Sequence, residues 1–222
     1  MRANTAFSSH ETAVRVTNKL IRNTYTLLSL TLLFSAVTCL IAVEMGVGRG
    51  GGMIASMMAL GLIWFVLPRT AQSGAGIGVV FAVTGLLGFG LGPVINAYLH
   101  MTNGSQIVFT ALGGTGVIFL GLSGYALTTK RDFNFMGGFL FVGMLVVLGA
   151  ALLNIFLAIP ALTLSISAVV VMLMSGFILY DTSRMVNGGE TNYVIATISL
   201  YLNILNLFTS LLQLLGLANS DD

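Results

Sequence analysis

Apolar side chains run along this chain in seven long stretches separated by short breaks, at residues 24–46, 52–68, 75–99, 105–128, 134–158, 161–183 and 191–215. A helix needs roughly 20 apolar residues to cross the hydrocarbon core of a bilayer. All seven stretches are of about that length. A transmembrane β-barrel instead shows short segments of alternating polarity. The pattern therefore predicts an all-α integral membrane protein with seven transmembrane helices. It divides the chain into a polar N-terminal tail (1–23), a membrane bundle (24–215) and a short C-terminal tail (216–222).

The breaks have local causes. Residues 46–52 are glycine-rich around Arg49, and Pro68-Arg69 closes the second run. Lys130-Arg131-Asp132 closes the fourth, Pro160 separates the fifth from the sixth, and Asn187-Gly188-Gly189-Glu190 forms a polar turn before the seventh. Within the tail, Glu11 to Lys19 is a weak candidate for a short interfacial helix.

Composition agrees with a lipid environment. Charged residues are 7% of the chain and apolar residues 56%, against roughly a quarter charged in soluble domains. The net charge of +2 gives no reason to expect a nucleic-acid partner. The positions of the positive charges matter more than their sum. With the N-terminus in the cytoplasm, the inner segments hold eight (Arg2, Arg15, Lys19, Arg22, Arg69, Lys130, Arg131 and Arg184) and the outer segments only Arg49. The positive-inside rule favours that orientation, and seven spans then place Asp221 and Asp222 outside. The first apolar run is longer than a secretory h-region and lacks a small-residue cleavage site, so it reads as a retained helix. A single cysteine, Cys39, rules out an internal disulfide and leaves the redox compartment open.

Glycines at small-xxx-small spacing allow helix backbones to approach closely in lipid. Gly88 and Gly92 form such a pair in the third run, and Gly113, Gly114, Gly121 and Gly124 line the fourth. They suit packing within the bundle or a dimer seam.

Polar groups inside spans are functional candidates by default, because lipid makes them costly. Asp181 lies near the inner end of the sixth run. One reading makes it a proton-sensitive switch. The other places it at the interface, paired with Arg184 one helical turn away. The turn between runs six and seven is centred so that Asp181 and Asn203 fall at similar depth, where they can touch. Asn206, Asn154 and Asn96 are candidates for hydrogen bonds between helices, and Glu44 can reach water at the outer end of the first run.

Catalytic look-alikes fail on chemistry. Gly121-Leu122-Ser123-Gly124 matches the GxSG of rhomboid proteases, but such a serine needs a histidine base. The two histidines, His10 and His100, lie in the tail and at an outer loop. Tyr180-Asp181 is half of an intramembrane aspartyl-protease pair, and no second aspartate lies in a span. No Walker, dinucleotide or metal-cluster motif is present. The chain is expected not to be an enzyme and to need no cofactor.

Several segments together resemble the Bax inhibitor family, within it the bacterial YccA-like branch. They are Tyr180-Asp181-Thr182, the turn Gly188-Gly189-Glu190-Thr191-Asn192-Tyr193, and Ser199-Leu200-Tyr201-Leu202-Asn203-Ile204-Leu205-Asn206-Leu207-Phe208. Leu20 to Tyr25, Thr84 to Pro93, and Asn154-Ile155-Phe156-Leu157 extend the resemblance along the chain.

The resemblance implies six helices around a central seventh, and a bacterial inner-membrane location. It implies two functions. Members of the bacterial branch bind the membrane AAA+ protease FtsH, as substrate and inhibitor. Others are pH-sensitive calcium leaks, with paired aspartates on helices six and seven and an arginine near the end of helix two. Asp181 matches the first aspartate, Asn203 occupies the place of the second, and Arg69 stands near the place of the arginine. Calcium prefers six to eight oxygen ligands, so Asp181 with one amide is at best a weak calcium site, and calcium enters only as a transported ion. The departure at Asn203 weights the reading toward the protease modulator. Membrane lipid and an FtsH-type protease are the expected partners.

Overall fold

The computed structural model describes the backbone of residues 2–218 and the side chains of residues 15–217. Asp221 and Asp222 lie outside the described residues. Among the described residues there are helices and turns and no strands. The helices are α1 (Arg2–Glu44), α2 (Arg49–Thr70), α3 (Ala75–Leu99), α4 (Gly104–Thr129), α5 (Met136–Leu157), α6 (Pro160–Val186) and α7 (Tyr193–Ala218). All seven are long and apolar enough to cross a membrane.

α1 continues far beyond the first apolar run. Residues 2–44 contain neither glycine nor proline, so nothing interrupts the hydrogen-bond ladder until Gly46, which takes a left-handed conformation at φ 62°. Glycine pays no steric cost there. The segment expected as a short helix over Glu11 to Lys19 is part of this continuous helix.

α2 carries a π-turn over Leu62–Val66, in which the Leu67 N–H donates to the Leu62 carbonyl five residues back. Pro68 explains it. Proline lacks the N–H that would bond to Trp64, and its ring presses on that carbonyl. A widened turn relieves the clash. Two side chains then serve nearby carbonyls: Arg69 Nη1 donates to Phe65 O, and Thr70 Oγ1 donates to Val66 O at 2.9 Å.

α7 is the most buried span and packs against α1, α3, α4 and α6. α2 packs on α3 and α5 on α6, and the backbone of neither comes close to that of α7. Tyr201, with no exposed surface, ties the interior together. Its hydroxyl lies 2.6 Å from Ser35 Oγ and 3.2 Å from the Thr84 carbonyl. A phenol has one proton, so donation to Thr84 leaves Ser35 as the donor to Tyr201.

The glycines divide into two groups. At Gly88 a Cβ would meet Ser35 and Thr38, and at Gly92 it would meet Ala42. These two form the close α1–α3 seam that small-residue spacing predicts. The α4 glycines differ: Gly113, Gly121 and Gly124 have open space where a Cβ would be, and Gly114 only approaches Leu211. Gly113, Gly121 and Gly124 face outward because α4 turns its other side to α6 and α7.

Candidate functional site

The hairpin between α6 and α7 builds the site. Asn187 ends α6, with its Nδ2 donating to Ser183 O at 3.0 Å, and Gly188 turns the chain at φ 77°. Asn192 starts α7, with its Oδ1 accepting from Val194 N at 2.8 Å, as an N-cap residue does. The same residue donates from Nδ2 to Ala71 O at 2.8 Å, joining this hairpin to the α2–α3 turn. The α4–α5 turn is held at the same end, because Arg131 O accepts from Ser183 Oγ at 3.0 Å and Phe133 N donates to that hydroxyl at 3.0 Å.

The hairpin brings Asp181 and Asn203 together. Asn203 Nδ2 donates to Asp181 Oδ2 at 2.8 Å, and Ser199 Oγ donates to the same oxygen at 2.5 Å. Ser199 and Asn203 are four residues apart, so they share one face of α7. Asn203 is buried and Asp181 half-buried. Beside them, Thr182 Oγ1 lies 3.4 Å from both Tyr25 OH and Ser123 Oγ. A polar lane thus joins α1, α4, α6 and α7.

Two expected partners are elsewhere. Arg184 does not pair with Asp181. Its Nη2 donates to Gly189 O at 2.8 Å and sits 3.7 Å from Glu190 Oε2, with the guanidinium 5.6 Å from the Tyr180 ring centre. The tight turn offers a carbonyl and a carboxylate nearer than Asp181. Arg69 is not brought to the pair either: its Nη1 donates to Phe65 O on its own helix, and no ion pair joins it to Asp181 among the described residues. The other amides also separate. Asn154 Nδ2 donates across to Thr163 Oγ1 on α6 at 2.7 Å, whereas Asn206 bonds back to Leu202 O on its own helix at 2.9 Å. Glu44 is exposed.

Ser199 is the residue that sequence reasoning passed over. Its signal was the i, i+4 spacing from Asn203, which puts the two polar side chains on one face of α7. Thr182, Ser123 and Tyr25 left no such periodic trace, because they meet only through tertiary packing.

The arrangement has a chemical consequence. Both donors reach Oδ2, which accepts strongly as a carboxylate oxygen and more weakly as the carbonyl oxygen of an acid protonated on Oδ1. The contact therefore persists in either state. Among the described residues no three His, Cys, Asp or Glu side chains form a metal-binding group, and a tight site needs several oxygen ligands.

A seven-helix membrane bundle with one carboxylate clasped between its last two spans is the class of protein these features define. The chain belongs to the Bax inhibitor family: the family model described as Inhibitor of apoptosis-promoting Bax1 matches residues 17–220. It is 46% identical over 215 residues to the Escherichia coli K12 protein named Modulator of FtsH protease YccA, covering 96% of this chain and 97% of that one. It is 49% identical over 206 residues to an uncharacterized membrane protein of Vibrio cholerae, covering 93% and 92%. An uncharacterized Pseudomonas aeruginosa protein is 42% identical over 208 residues, covering 94% and 93%.

Proposed function

We propose that this protein is a non-enzymatic inner-membrane protein that binds and modulates an FtsH-type AAA+ protease, as substrate and inhibitor. The supporting observation is the near full-length similarity to a protein named as a modulator of that protease. The Asp181 site points the same way, since its amide partner holds the carboxyl in either protonation state and gives no obvious pH-driven opening. The N-terminus lies in the cytoplasm and the C-terminus outside, as the eight-to-one distribution of basic residues favours. The N-terminal segment is then available to an ATP-driven unfoldase.

Affinity purification of the full chain in mild detergent tests the reading. FtsH is expected to co-purify, and deletion of residues 2 to about 18 is expected to lengthen the protein's lifetime in cells while the bundle stays folded. Absence of FtsH from the purified material overturns the proposal. A reporter fused after Asp222 is expected to be active only on the outer face.

The alternative is a calcium or cation leak. One observation favours it: Asp181 places a carboxyl within a span with Oδ2 bonded and no partner on Oδ1 among the described residues. Calcium flux in liposomes made from the same purified protein separates the two readings.

A further inference from the structure

The end of the bundle opposite the α6–α7 hairpin carries a lipid-facing groove between α2 and α3. Its volume is about 450 Å³, within the roughly 300–1,000 Å³ typical of small-molecule sites. The two helices cross closely there. A Cβ on Gly52 would meet Pro93, and a Cβ on Gly90 would meet Ser56. Beside this close crossing runs a trough whose walls are Met53, Met57, Pro93 and Val94. Both methionines are exposed, and their flexible thioethers adapt to an irregular occupant.

Two polar groups punctuate this apolar trough, and neither has a partner among the described residues. Arg49 is exposed at its mouth and makes no hydrogen bond or ion pair among the described residues. Glu44, the nearby carboxylate in sequence, is exposed and does not pair with it. Ser56 lies two helical turns further in, half-buried, with its hydroxyl against Gly90 and no hydrogen-bond partner among the described residues. Other serine hydroxyls on lipid-facing helices bond back to a carbonyl of their own helix, as those of Ser165 and Ser175 do. The first turn of α2, where Arg49 sits, has no side-chain cap, so its amides add positive potential at the same place.

We propose that this groove is a phospholipid-binding site. Arg49 holds the phosphate, Ser56 donates to an ester carbonyl of the glycerol backbone, and an acyl chain lies along Met53, Met57 and Val94. A cation at the mouth, a hydroxyl donor deeper in and an apolar floor follow the order of chemistry along a diacyl phospholipid. The inference is independent of the protease reading, since it rests on the α2–α3 groove alone.

Phosphatidylglycerol titrated into the detergent-purified full chain, with retained lipid counted by native mass spectrometry, tests the site. One lipid per chain is expected to bind. Arg49→Gln is expected to weaken it about tenfold, as loss of a charge-assisted hydrogen bond implies. Ser56→Ala should weaken it less, and Met53→Trp should block it by filling the trough. Arg69→Gln, at the other end of α2, should retain it. Inorganic phosphate alone should not displace the lipid, because the acyl chain supplies much of the contact. Equal lipid retention by the unaltered protein and Arg49→Gln overturns the proposal. So does equal loss in Arg69→Gln, displacement by free phosphate, or occupation of the groove by a second copy, seen as a dimer that Met53→Trp disrupts.

Discussion

α5 and α7 are both apolar helices of spanning length, yet they live in different surroundings. α5 is the more hydrophobic of the two and the less buried. It buries Leu140 and Val147 against α6 and gives most of its surface to lipid. α7 carries Thr197, Ser199, Asn203 and Ser210 and is the most buried span. The ordering is the reverse of a soluble protein's. In lipid, burying an apolar side chain removes no water, so packing and hydrogen bonds decide which helix goes inside. Polar residues therefore mark the interior face, and unbroken apolar sequence marks the periphery.

Removing an aromatic ring from each helix breaks or sharpens this contrast most strongly. Tyr201→Ala empties an interior site and strands the Ser35 and Thr84 groups, and is expected to cost about 3–5 kcal/mol. Phe156 on α5 is 86% exposed, and Phe156→Ala is expected to change stability by less than about 0.5 kcal/mol. Denaturant unfolding in detergent micelles measures both. Comparable losses would mean that α5 is packed by something other than lipid.

Next in size is Asn203→Asp, which sets a second carboxylate against Asp181 Oδ2. Two ionised carboxylates at this distance repel, whereas a pair sharing one proton does not. The variant is expected to lose about 3 kcal/mol of stability at high pH, with the loss shrinking as the pH falls. Calcium flux that rises with pH should appear in liposomes holding the variant, and Asp181→Asn should abolish that gain. The unaltered protein is expected to show little pH dependence. Strong pH-gated flux from it, untouched by Asp181→Asn, would place the ion path elsewhere.

A third contrast lies between glycines. Gly92→Ala pushes a methyl group into Ala42 across the α1–α3 seam and is expected to cost about 1–3 kcal/mol. Gly121→Ala meets open space on α4 and is expected to stabilise the helix by about 0.5–1 kcal/mol. Thermal unfolding of the two variants checks the signs. Destabilisation by Gly121→Ala would point to a partner seated on that face.

The number and type of the spans were legible because lipid demands long apolar runs, and the 75–99 run coincides with α3. The start of α1 was not, since helix formation needs only an absence of breakers and not apolarity. The Asp181–Asn203 contact was legible from hairpin arithmetic: both lie about equally far from the turn. What could not be read was rotation about each helix axis. The small-residue pattern in α4 looks like that in α3, yet Gly88 and Gly92 of α3 face a neighbour and Gly113, Gly121 and Gly124 of α4 face outward. The same limit hid the partner of Arg184, because a one-turn spacing permits a pair with Asp181 without requiring it.

The smallest expected effect tests that last point. Arg184 and Glu190 retain 33% and 18% side-chain exposure and stand 3.7 Å apart. Such a pair near water contributes about 0–1 kcal/mol and weakens with salt. Arg184→Gln is therefore expected to cost less than about 1 kcal/mol, with the difference fading at high ionic strength. Glu190 matters in another way. Its Oε1 accepts from Thr191 N and Asn192 N, both at 2.8 Å, so it shapes the entry to α7. Glu190→Ala should thus cost more than Arg184→Gln and should keep its effect in salt, because backbone amides lose their acceptor. Were Arg184 the counter-ion of Asp181, its removal would leave a partly buried carboxylate uncompensated. The loss would then approach 3–5 kcal/mol and would largely disappear in an Asp181→Asn background. Unfolding measurements on the two single variants and the double variant decide between a turn-capping arginine and a counter-ion.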